Sequence, residues 1–171
     1  VFFLLEIHLI SFIMKKAIKV YAVNGNQQTI KHKIAKDIIR FHVRANSDKK
    51  EDQSLKLRVR DQILDLMDER LQDVKSVEES RSVIQASAKD IEAISREVVE
   101  DNGYDYDINV SLKKEIFPIK KYGNLVFPQG EYESLTVEIG GAKGENWWCV
   151  MFPPLCFVDI THSVAVDSGD D

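Results

Sequence analysis

Apolar and polar positions alternate near both ends of this chain and recur at helical spacing between them. Ile39, Phe41 and Val43 alternate with Arg40, His42 and Arg44, which predicts a strand over Ile38 to Ala45 with one apolar and one basic face. Asn46-Ser47-Asp48 ends it, and Asp48 with Glu51 has capping-box spacing for the next helix. From Lys49 to Gln72, Leu55, Val59, Ile63, Leu66 and Met67 recur every three or four residues, the stripe of an amphipathic helix. Ser76 with Glu79 opens a second, short helix to Ala86. Ser87 with Asp90 opens a third, striped by Ile91, Ile94 and Val98 and closed by Gly103.

Past Gly103 the period becomes two. Tyr106, Ile108, Val110 and Leu112 predict a strand that ends before Pro118. Tyr122 to Tyr132, with Gly123, Pro128 and Gly130, predicts an ordered loop or short hairpin. Leu135, Val137 and Ile139 predict a further strand, joined by a hairpin-like Gly140-Gly141-Ala142-Lys143-Gly144 connection to Asn146-Trp147-Trp148-Cys149-Val150-Met151-Phe152. Trp147 to Phe152 is apolar on both alternating faces, which predicts a central strand buried on both sides, and Pro153-Pro154 turns the chain out of it. Strand, three helices and three strands make an α+β domain: a small mixed or antiparallel sheet of about four strands, with three helices inserted after the first.

Composition changes this picture little. The chain has 171 residues, 44% of them hydrophobic and 30% charged, and suits one folded domain. A net charge of -5 argues against nucleic acid as a partner. The two cysteines include no CxxC pair, so neither a metal nor a cofactor is implied. Residues 1–23 form a leader-like or mis-called N-terminal segment whose apolar run, Val1 to Ile13, is too short to span a membrane and is followed by Lys15, Lys16 and Lys19 where a signal peptide has its basic residues first. Residues 24–36 read as a linker, 37–160 as the single domain and 161–171 as an acidic tail.

Two long stretches carry a family resemblance. Ile38-Ile39-Arg40-Phe41-His42-Val43-Arg44-Ala45-Asn46-Ser47-Asp48, continuing to Asp61, and Asn146 to Phe157 resemble the stage II sporulation protein R family of endospore-forming bacteria; Phe127-Pro128-Gln129-Gly130-Glu131-Tyr132 between them also fits. The resemblance implies an exported signal in the space between forespore and mother cell. Its implied partner is a membrane-embedded aspartic protease, which processes a sigma-factor precursor.

On this reading the partner-binding candidates are Arg40, His42, Arg44, Asn46 and Asp48 at one strand end, with Trp147, Trp148, Pro153, Pro154 and Leu155. The strand cations suit an acidic partner region or a nearby anionic membrane surface, and equally an ordinary solvated face. The tryptophans suit core packing, and the Pro153-Pro154-Leu155 turn suits either packing or an apolar contact. Cys149 and Cys156 suit a disulfide, which an exported location permits, or two buried thiols. The rival reading is a thiol-dependent hydrolase of the sporulation envelope using Cys149 and His42; a third is a structural envelope component.

Overall fold

A computed structural model describes residues 35–122 and 125–157. The apolar segment, nearly all of the linker and the acidic tail lie outside them. The elements are β1 (Ile39–Arg44), α1 (Lys50–Leu71), α2 (Val77–Asp101), β2 (Ile108–Phe117), β3 (Lys120–Tyr122), β4 (Leu125–Phe127), β5 (Gly130–Ile139), β6 (Asn146–Phe152) and a 3₁₀ turn at Leu155–Phe157. The fold is mixed α+β, with a four-stranded sheet in the order β2-β5-β1-β6.

Two helices, not three, follow β1. α2 runs unbroken for 25 residues through Ser87, the expected cap of a third helix. Its Oγ instead donates to Val83 O at 2.8 Å and accepts from Arg70 Nη1 of α1 at 2.8 Å. A serine hydroxyl satisfied by the carbonyl four residues back needs no helix end. Ser80, Ser87 and Ser95 are all buried on the seam with Ile84 and Ile91, where small side chains let helices approach closely. The start of α2 is the expected box: Glu79 N donates to Ser76 Oγ at 3.1 Å, and Lys75 N to Glu79 Oε2 at 3.1 Å. Its end is a Schellman closure, with Gly103 at φ +79°, Gly103 N donating to Glu100 O and Tyr104 N to Val99 O.

β1 is one of the two interior strands, with β5. It pairs in parallel with β5 and antiparallel with β6. β6, expected at the centre, is an edge: an apolar run reports that both faces of a strand are covered, not that both its neighbours are strands. The Gly140 to Gly144 connection is likewise no hairpin, because β1 lies between the strands it joins.

Both helices cover one sheet face. There Ile39, Phe41, Val43, Leu135, Val137, Cys149 and Met151 pack against Leu55, Val59, Ile63, Ile84 and Ile91. The opposite face has a second, smaller core of Ile38, Phe117, Phe127, Tyr132 and Val150, over which β3 and β4 fold as a two-stranded ribbon. The ribbon overlaps the start of the stretch from Tyr122 to Tyr132 expected as an ordered loop or short hairpin, whose end, from Gly130, belongs to β5 instead. It covers one end of the face and leaves the other to polar side chains.

Candidate interaction surface

Alternation along β1 sends Arg40, His42 and Arg44 to the face away from the helices, each into a different setting. Arg40 has 0% exposure, and its guanidinium lies 4.5 Å from the Phe117 ring centroid, 5.2 Å from Tyr132 and 5.4 Å from Phe127. Three aromatic faces around one guanidinium make a cation–π cage. Arg40 is therefore an internal tie, inaccessible to a partner. The basic face expected of β1 is largely buried.

His42 is buried as well. Its ring stacks on Trp148 at 4.8 Å with 3° between planes and meets Phe117 edge-on at 5.4 Å. Nε2 lies 2.5 Å from Glu115 Oε2 and 2.8 Å from Thr136 Oγ1, while Thr136 Oγ1 donates to Glu115 Oε2 at 3.0 Å. With that hydroxyl proton committed to Glu115, the Thr136 oxygen accepts, which assigns the Nε2 hydrogen. Nδ1 is 3.2 Å from Asn146 Oδ1, and Arg44 Nε donates to that oxygen at 3.0 Å. Burial pulls the His42 pKa below its ordinary value against the opposing charge of Glu115. Burial pushes the Glu115 carboxyl up, but Lys113, His42 and Thr136 together hold it below the usual carboxylate value.

Arg44 opens the accessible part of this face. It is partly exposed and lies 3.6 Å from Glu138, which Lys113 also approaches at 3.8 Å. Beyond it, Asn46 organises the crossing connection: Gly141 N donates to its Oδ1 at 2.8 Å and Lys143 N to its backbone O at 3.1 Å. Asn46 Nδ2 and Ser47 Oγ donate to Asp52 Oδ2 at 2.9 and 2.5 Å. Burial pushes the Asp52 carboxyl up, but hydrogen bonds from Ser47, Asn46 and Tyr106 outweigh it and hold the group low. Asp48 does not cap α1, whose N-cap is Lys49 without a side-chain bond. It accepts from Glu145 N at 2.7 Å instead, and Lys56 Nζ donates to Glu145 O at 3.0 Å. The connection is thus clamped just before β6, against strand end and helix start.

β6 places the tryptophans on opposite sheet faces. Trp147 meets Phe41 edge-on at 5.6 Å on the helix side, with the Arg60 guanidinium 5.0 Å from its ring; Trp148 covers His42 on the other. Both are half-buried. Pro153, Pro154 and Leu155 follow at the far end of β6, beside Ile38 and Val150, with Leu155 packed into the second core. The sequence candidates thus do not form one patch. Arg44, Asn46 and Asp48 adjoin the Asn146-Trp147 end of β6, as the register Arg44 to Asn146 requires. The proline turn lies about 20 Å away at the other end of the strand.

Cys149 and Cys156 are disulfide-bonded, with Cα atoms 5.8 Å apart. Cys149 pairs with Phe41 on the helix face, whereas His42 points to the other, so the proposed thiol–imidazole pair is not formed. Among the described residues no three His, Cys, Asp or Glu side chains gather as a metal-holding group. Sequence reasoning missed Glu115, Thr136, Asn146 and Asp52. Glu115 and Thr136 sit at polar positions of alternating strands, a pattern that marks the face but not the partner.

These features define a small, disulfide-stapled α+β domain whose accessible chemistry is a hydrogen-bonding strand end beside an aromatic sheet edge. The chain belongs to the stage II sporulation protein R family, whose model matches residues 35–162. It is 43% identical over 133 residues to Stage II sporulation protein R of Bacillus subtilis (strain 168), a match covering 78% of this chain and 59% of that protein. The match thus spans less than two thirds of that relative's length. No solved structure matches this chain.

Proposed function

We propose that this chain is an exported sporulation signalling protein that binds and activates a membrane-embedded aspartic protease, which then processes a sigma-factor precursor. The observation that carries the proposal is the family match over residues 35–162, which takes in both helices and the whole sheet. The site is compatible with a binding role. Arg44, Asn46 and Asp48 are held in place by hydrogen bonds at the strand end, so little side-chain freedom is lost on contact with a partner. The space between forespore and mother cell is the proposed location, and the disulfide supports an oxidising one.

The test is co-expression in a non-sporulating host of the protease, the sigma-factor precursor and this chain fused to a working export signal. Cleavage that depends on the chain is the expected result. Absence of cleavage with the chain exported and folded would overturn the proposal.

A further inference from the structure

The two edges of the sheet differ in chemistry. β2, at one edge, carries Lys113, Lys114 and Glu115 in succession, and charges along an edge make pairing with another strand unfavourable. β6, at the other, has no charged residue from Asn146 to Phe152. Among the described residues it pairs with β1 alone. Among the described residues its outer side therefore presents main-chain donors and acceptors without a neighbouring strand, although Cys156 Sγ lies 2.9 Å from Val150 O. Trp147 and Trp148, both half-buried, flank that edge from the two faces of the sheet. Tryptophan is the residue type most enriched where partners bind tightly. The strand is also held rigid, its entry clamped through Asp48 and Lys56 and its exit by the Cys149–Cys156 bond.

From this we infer that β6 is a docking edge, onto which an extended, uncharged segment of the partner protease adds as a fifth strand. The inference rests on the signalling role proposed above and names the partner chemistry at that surface. A row of backbone N–H and C=O groups is matched by another backbone, not by an ion or a small ligand. Alternating side chains of the added strand would pack on Trp147 above the sheet and Trp148 below it. The strand itself carries no charge, and the two cations over its tryptophans, Arg60 and Lys120, are largely buried, so the edge selects an apolar segment.

The test is hydrogen exchange over the peptide spanning Asn146–Phe152, measured on the full chain alone and with the detergent-solubilised protease. With the protease at ten times its Kd, exchange at this edge should slow about tenfold, while β2 is unchanged. Co-purification without slowing at β6 overturns the docking edge and leaves the signalling role standing. Failure to co-purify overturns both. If the outward-facing β6 amides, those not bonded to β1, are already protected in the chain alone, the inference also fails. Concentration-dependent protection then assigns the edge to a second copy, and concentration-independent protection to the chain's own remaining residues.

Discussion

Reducing the Cys149–Cys156 bond should loosen the whole domain. The cysteines are 7 positions apart, and closing so short a loop in the unfolded chain is worth about 2.4 kcal/mol by loop-closure entropy. Both residues are 3% exposed, so replacing them with alanine adds a packing loss on top. Urea unfolding is the assay, followed by tryptophan fluorescence, because both tryptophans lie on the strand that the bond staples. With a slope of about 1.5 kcal/mol per molar urea, reduced protein should unfold about 1.6 M earlier than oxidised protein. Cys149→Ala with Cys156→Ala should fall at or below the reduced midpoint and lose all response to reductant. Oxidised and reduced midpoints within about 0.3 M of each other would refute the reasoning. They would mean that packing holds the turn without the bond.

Gly144→Ala should destabilise by about 1–3 kcal/mol, since an added Cβ would collide with the Ser47 backbone carbonyl and sit 3.0 Å from the Ala45 Cβ; an unchanged urea midpoint would show that the connection is not clamped there. Ser76→Ala should cost about 1 kcal/mol in thermal denaturation by removing the acceptor for Glu79 N, and no loss of melting temperature would deny the cap. His42 predicts a pH dependence. Its folded pKa lies below the unfolded value of 6.5, so the unfolded chain takes up the proton first as pH falls. Stability should therefore decline as pH drops below 6.5, and His42→Gln should flatten that slope in pH-dependent urea titrations; parallel profiles for the two proteins would contradict it.

The outline of the fold was legible because local chemistry dictated it. The Ser76 cap, the Gly103 closure and the alternation in β1 each act over a few residues. Ser87 misled because a serine followed three positions on by an acid looks the same whether it caps a helix or back-bonds inside one. Which role it takes depends on α1 supplying Arg70. Strand order was hidden for a different reason: β6 is as apolar as a central strand because its own disulfide, a helix and the β3–β4 ribbon cover its faces, and the helix and the ribbon are not local to it. The strand end around Asn46 was found, but its ties to Asp52, Gly141 and Lys143 join segments far apart in sequence. Arg40 was misplaced because no periodicity reveals an aromatic cage drawn from three other strands.

The interior position of the first strand has a consequence for how the chain folds. His42 reaches partners 94 and 104 positions further along the chain, so the middle of the sheet waits for its last strands. Chains dominated by such distant pairings fold slowly, because a large loop must close before the contacts that reward closure can form. Delivered N-terminus first, the two helices can dock early, while β1 stays unpaired until β5 arrives and is flanked on both sides only when β6 follows. A chain interrupted before Asn146 would hold β1 with one side bare. Such a chain can collapse, but it cannot finish the sheet, and only complete molecules acquire the polar strand end and the aromatic edge together.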